Sequence, residues 1–173
     1  PLIRVLPRPP QDGLTREQVV SGFLSASASF DDDHLVARQF LTPKASAEWQ
    51  PESGVVVYDD EVGLSSRVVG DVVSLTARET GRIGPDGAFV VREGERLLRT
   101  FGLQRIDGEW RIARLADGLL LTELDLVRSF RSYALQFLAP DQGRLVPDPV
   151  FVPIDRSGVA TSVTRALLDG PTR

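Results

Sequence analysis

Apolar side chains recur at helical spacing along the first part of the chain and at strand spacing along most of the rest. Val19, Phe23, Ala26 and Phe30 repeat every three to four residues, flanked by Val20 and Leu24. That period predicts an amphipathic helix over about 15–29. Thr15-Arg16-Glu17-Gln18 marks its start as a capping box, in which the threonine and glutamine side chains satisfy orphan backbone N–H groups reciprocally. Leu14 and Val19 hold the two positions of a hydrophobic staple. Asp31-Asp32-Asp33 reads as the beginning of a second helix over about 32–41, because carboxylates cap and favour the positive end of the helix dipole. A calcium loop would space its ligands and include a turn glycine, and this run does neither. Thr42-Pro43 is a cap followed by proline at the first helical position, which predicts a third helix over about 43–49.

From Val55 the period changes. Val55–Tyr58 is strand-like, and Ser66–Ile83 is rich in Val, Thr and Leu with a break at Gly70. Gly84-Pro85-Asp86-Gly87 is a turn sequence, after which Ala88–Val91 and Leu97–Ile106 read as extended. Asp107-Gly108 is a two-residue hairpin signal, and Glu109–Leu115 returns as a strand. Short turns between strands predict an antiparallel meander, and Gly70 and Gly102 inside it predict bends. The expected fold class is therefore α+β, with N-terminal helices packed on the concave face of a curved antiparallel sheet that ends near Asp117-Gly118.

A short helix over about 122–130, capped by Thr122, leads into a second unit. It holds a strand at Ser132–Leu138, a turn at Asp141–Gly143, a proline-studded extended stretch at Leu145–Val152, and a helix at Val159–Leu168 stopped by Gly170-Pro171. This is a thin core and reads as truncated. Leu135, Phe137, Val163 and Leu167 are expected to bury against the first domain or a neighbouring chain. Pro1, Pro7, Pro9 and Pro10 make residues 1–13 an extended arm. The division is thus 1–13 for the arm, 14–120 for the helix-and-sheet domain, and 121–173 for the linker helix and partial second unit.

Composition changes the picture mainly by exclusion. The 173 residues are 42% hydrophobic and 25% charged, as in ordinary globular proteins. The absence of Cys removes thiol nucleophiles and cysteine metal clusters, and the single histidine, His34, removes a histidine pair for a catalytic metal. With no Met, the chain is expected to be an excerpt of something longer. No cofactor is implied. His34 stands beside three aspartates in the predicted first turn of a helix, where a surface or capping hydrogen bond is its expected role. Net charge is −4 with acids and bases interspersed, so nucleic acid is not an expected partner. The arginines from Arg92 to Arg114 alternate along strands, as a solvated sheet face or a phosphate-binding face would. No apolar run approaches the ~20 residues of a membrane span. There is no Gly-rich phosphate loop before a helix and no nucleophile elbow around any serine. Asp59-Asp60-Glu61 reads as an acidic turn.

Five aromatics remain as candidates. Phe23, Trp49, Tyr58, Phe101 and Trp110 could line a cavity between the helices and the bent sheet, or simply pack as core. No acid or base is spaced among them in a catalytic pattern.

Linked blocks then carry a resemblance. Val20-Ser21-Gly22-Phe23-Leu24-Ser25-Ala26-Ser27-Ala28 runs into Asp33-His34-Leu35-Val36-Ala37-Arg38-Gln39-Phe40-Leu41-Thr42-Pro43, followed by Trp49-Gln50-Pro51 and Gly54–Tyr58. The string resembles the N-terminal region of the actinobacterial lipoprotein LpqB family. Tyr133–Leu138, Leu145–Pro149 and Leu167–Pro171 resemble the opening of a GerMN-type domain. The resemblance implies a mature protein anchored by a lipid to the outer face of the cytoplasmic membrane, with a β-propeller further along. It implies an accessory, non-catalytic role linked to the MtrA–MtrB two-component system through the extracytoplasmic part of the sensor kinase MtrB. The layout of the first domain is similar to a cystatin-like cone, a fold shared by isomerases and non-catalytic modules, so fold alone does not decide function. Three expectations follow: an interaction module acting on a sensor kinase, a small-ligand pocket in the cone that senses an envelope metabolite or lipid, or an isomerase-type enzyme built on a buried carboxylate.

Overall fold

Helix α1 (Arg16–Ser27) forms where the capping box stands. The Gln18 N–H donates to Thr15 Oγ1 at 3.3 Å and the Thr15 N–H donates to Gln18 Oε1 at 2.8 Å. Its apolar stripe, Val19, Val20, Phe23 and Ala26, is buried. The computed structural model describes residues 7–138, 145–154 and 168, and α1 opens its ordered core.

The second predicted helix needs correction. Asp31–His34 is a tight 3-10 turn in which Asp32, Asp33 and His34 all take left-handed backbone angles, φ 46°, 55° and 58°. Aspartate tolerates that region better than most residues because its short side chain can bond locally. Only a single helical turn, α2 (Leu35–Arg38), follows. The reversal swings His34 inward, where it is buried, so it is neither a surface residue nor a side-chain cap. Helix α3 (Pro43–Glu48) matches the sequence reading, with Thr42 Oγ1 accepting from the Ala45 N–H.

The strands are β1 (Val55–Tyr58), β2 (Ser65–Val69), β3 (Val72–Ile83), β4 (Phe89–Ile106), β5 (Glu109–Arg114) and β6 (Leu119–Thr122). They form one curled sheet in the order β5-β4-β3-β1-β6, with β2 paired to β3 off that path. The sheet is mixed, not wholly antiparallel, because β1 and β6 run parallel, with Val55 opposite Leu119 and Tyr58 opposite Thr122. All four β1 residues and Leu119–Leu121 are buried, so these two short strands are covered on both faces. That explains why they read as unbroken apolar runs rather than alternations. The two stretches expected at Ala88–Val91 and Leu97–Ile106 are one 18-residue strand, β4. Asp107 and Gly108, at φ 51° and 87°, make the predicted tight hairpin.

Curvature comes from register shifts at Glu79/Gly81 between β3 and β4 and at Gly102/Leu103 between β4 and β5. Gly102 thus lies at a bend, as expected, whereas Gly70 sits in the β2–β3 turn at φ 59°. The main core gathers Phe23, Trp49, Val57, Leu75, Phe101, Ile112 and Leu121. A second cluster, Val56, Tyr58, Ala77, Leu97 and Leu120, lies on the other side of β1 and β6.

Strand β6 spans residue 120, where the sequence reading divides the chain, and runs straight into α4 (Glu123–Ser129) with Thr122 as its cap. Strands β7 (Phe130–Leu138) and β8 (Leu145–Pro153) follow as an antiparallel pair. Leu135 buries with Val150 and Val152 in a small cluster of its own. The pair also meets the larger sheet: the Phe151 N–H donates to Gly87 O at 2.8 Å, and the Phe89 and Phe151 rings lie 5.2 Å apart. The burial expected of the Phe137 side chain, of Val163 and of Leu167 lies outside what is described.

Candidate functional site

The structure brings three of the five candidate aromatics together. Phe23 on α1 meets Trp49 after α3 edge-on at 5.2 Å and Phe101 on β4 at 6.2 Å. All three are buried, and the Trp49 indole N–H donates to Gly118 O at 3.3 Å. The space beside Phe23 and Phe101, lined also by Ser27, Thr100, Asp117 and Leu119, is a narrow cleft of about 20 Å³. Trp110 packs partly buried at the edge of this core, with the guanidinium groups of Arg16 and Arg105 over its ring at 5.1 and 4.9 Å. Tyr58 belongs to the second cluster. Burial, with Asp125 and Asp60 nearby, raises its phenol to about 12, so it stays neutral.

Two buried ionisable groups stand apart from the aromatics: one the sequence did not single out, and one it placed at the surface. Glu79 on β3 is 1% exposed. Its two carboxylate oxygens accept from Arg82 Nε at 2.5 Å and Nη2 at 2.9 Å, a two-pronged pair with a guanidinium that is itself half exposed. Glu79 continues the row Val73, Leu75, Ala77 at alternate positions of β3, and that parity was the signal that could have found it. Arg99, half-buried on β4, has its pKa lowered by burial and by Arg82, with Glu79 acting against both.

His34 is the other. Its ring lies 4.8 Å from Phe30 and 5.6 Å from Trp49, and its Nδ1 has no hydrogen-bond partner among the described residues. Burial lowers its pKa, Arg38 adds to that, and Asp33 with the backbone of Ser29 and Ser27 opposes it. The acidic turn serves the fold. The Asp60 carboxylate accepts from the Glu123 and Leu124 N–H groups at the start of α4, and Asp59 Oδ1 accepts from the Glu61 N–H. Among the described residues no group of three or more His, Asp or Glu side chains stands together to hold a metal ion.

Comparison with known proteins then decides the family. Residues 9–127 match the family described as Lipoprotein LpqB, N-terminal domain. The chain belongs to the LpqB lipoprotein family. It is 36% identical to Lipoprotein LpqB of Thermobifida fusca over 98% of its own length and 29% of that protein's. It is 35% identical to Lipoprotein LpqB of Cutibacterium acnes over 87% of its length and 25% of the relative's, and 33% identical to that of Mycobacterium bovis over 96% and 29%. The chain therefore spans between a quarter and a third of the LpqB proteins it matches. No solved structure is similar to it at a significant level. Relatives carry the name of a lipoprotein, not of an enzyme, which fits a membrane-anchored envelope protein. No helix among the described residues is long and apolar enough to cross a membrane.

Within the LpqB-matched region, His34 makes a pH prediction. Its folded-state pKa lies below the unfolded value near 6.5. Between those two values the unfolded chain binds the extra proton, so stability falls as pH drops below about 6.5 and levels off once the folded value is passed. Urea unfolding midpoints at pH 5 and 7.5 should differ in that sense, and His34→Gln should shrink the difference. Equal differences in both proteins would remove His34 as the cause.

Proposed function

We propose that this chain is a non-catalytic interaction module of an extracytoplasmic, lipid-anchored protein, and that it engages the extracytoplasmic part of the sensor kinase MtrB to modulate MtrA–MtrB signalling. LpqB family membership supports the setting. The observation that carries the reading is the filled interior. Where a ligand site would lie, Phe23 meets Trp49 and Phe101 edge to face, and the space beside Phe23 and Phe101 holds about 20 Å³, against the roughly 300 Å³ or more of a small-molecule site. The isomerase reading asks for a buried carboxylate free to take a proton, and Glu79 is held by Arg82 instead. The work is thereby assigned to the surface. Helices packed on a curled sheet support reading the first part as a cystatin-like cone, and the blocks Tyr133–Leu138 and Leu145–Pro149 support reading β7–β8 as the opening of a GerMN-like unit.

The test is capture of this chain by the immobilised extracytoplasmic domain of MtrB, beside the remainder of the full-length lipoprotein. Binding by this chain is expected. Binding by the remainder alone would overturn the proposal for this region.

A further inference from the structure

The long strand β4 has an edge that its neighbour leaves uncovered. Strand β5 pairs with β4 only from Gly102 to Ile106. The Leu103 N–H donates to Asp71 O on the β3 side at 2.7 Å. Amides alternate sides along a strand, so those of Arg96, Leu98 and Thr100 point to the opposite edge, where β5 has ended. A groove of about 390 Å³ opens there, bounded by Val72, Leu98, Thr100, Gly102, Arg114 and Ala116. Leu98 is 61% exposed beside it.

The surroundings of this edge are mostly basic; Asp117, beside Thr100, accepts from the Gln50 N–H at 2.9 Å. Residues paired across a ladder share a face. Arg67 pairs with Ser74, Ser74 with Thr100, Thr76 with Leu98, Arg78 with Arg96, Gly102 with Arg114 and Gln104 with Arg111. Arg67, Arg78, Arg96, Arg111 and Arg114 therefore stand on one side of the sheet, opposite the buried row Leu75, Phe101, Leu103 and Ile112. The carboxylate that shares this face of the ladder is Glu109, opposite Ile106. Glu109, nearer the hairpin, is occupied by the Gly13 N–H at 2.9 Å. Arg78 lies directly across from Arg96, a like-charge pair that weakens the sheet when nothing anionic lies between. Arg114 lies over the Gly102 backbone, its Nε 2.7 Å from where a Cβ would stand, so its charge borders the groove. All this belongs to a chain whose net charge is −4.

We propose that the edge of β4 from Arg96 to Thr100, unpaired among the described residues, is a docking site for an extended, acidic segment of a protein partner, which adds as a strand with its carboxylates on the arginine face. Main-chain hydrogen bonds to the Arg96, Leu98 and Thr100 amides supply register, and alternate carboxylates meet Arg96 and Arg114. A second copy of this chain is a poor occupant, because edge-to-edge pairing would set these arginines against one another. The inference rests on the interaction reading only for its premise that the partner is a protein.

The probe is a fluorescent peptide of alternating Glu and Val, with an alternating Lys and Val peptide as control. The wild-type chain should bind the acidic peptide and not the basic one, with hydrogen-exchange protection gained at Leu98 and Thr100. The exposed double variant Arg96→Glu/Arg114→Glu should bind the acidic peptide about tenfold or more weakly and gain affinity for the basic one. Leu98→Pro, which removes one edge N–H, should weaken binding with the charges intact. Equal binding by the charge-reversed variant, or protection elsewhere, overturns the site. Binding to phosphatidylglycerol vesicles without binding to the acidic peptide overturns it in favour of a membrane surface. Capture by MtrB that the double variant retains refutes this surface but not the kinase reading; acidic-peptide binding without MtrB capture does the reverse.

Discussion

Replacing Phe23 by alanine is expected to destabilise the chain by about 3–5 kcal/mol. Phe23 is 4% exposed and supplies the ring that both Trp49 and Phe101 meet edge-on. Its removal strips those contacts and opens a void between α1, the Trp49 turn and β4, elements that cannot all close on one another. For a domain of this size the loss lowers the melting temperature by about 10 °C. The prediction separates core from ligand site. An aromatic that lines an open cavity contributes little to folding, and its loss costs under about 1 kcal/mol while abolishing binding. A loss that small in thermal or urea unfolding of Phe23→Ala would revive the small-ligand reading.

The second large effect is asymmetric. Arg82→Ala should cost about 2–3 kcal/mol, clearly more than Glu79→Gln. Glu79 is almost wholly buried, so loss of its guanidinium partner strands a charge away from water, whereas Arg82 is half exposed and recovers hydration when Glu79 is neutral. That same exposure keeps the figure below the full cost of breaking a fully buried pair. Arg99 is close enough to soften the loss through its field at Glu79. A double-mutant cycle on the two residues, read by urea unfolding, checks the pair. Equal costs for the two single variants would mean that water reaches the Glu79 carboxylate.

How far the sequence foretold these features depended on whether the signal was local. The capping box at Thr15, the Thr42-Pro43 start and the Asp107-Gly108 turn are local chemistry, and each appears where it was expected. Asp31–Asp33 misled because aspartate serves equally as a helix cap and as a tolerant left-handed residue, and only packing around His34 decides between them. Strand β6 was invisible for another reason. Its apolar run is buried on both faces and shows no alternation, and a parallel partner 64 positions earlier leaves no mark on the chain between. The aromatic set was legible as apolar, yet its partition was not. Tyr58 follows its β1 parity to the opposite side from Val57, and the register shift between those two residues is set by β3. The arginine alternation along β4 and β5 was legible as a sheet face, but the end of the β5 pairing at Gly102 is a fact of topology.

The claim that this module acts through its surface is tested most directly by amide hydrogen exchange of the chain alone and with the extracytoplasmic domain of MtrB. New protection is predicted at the outer edge of β4, around Leu98 and Thr100, with the amides around Phe23 and Trp49 unchanged. No new protection on any exposed strand, with binding retained only by the rest of the lipoprotein, would contradict it.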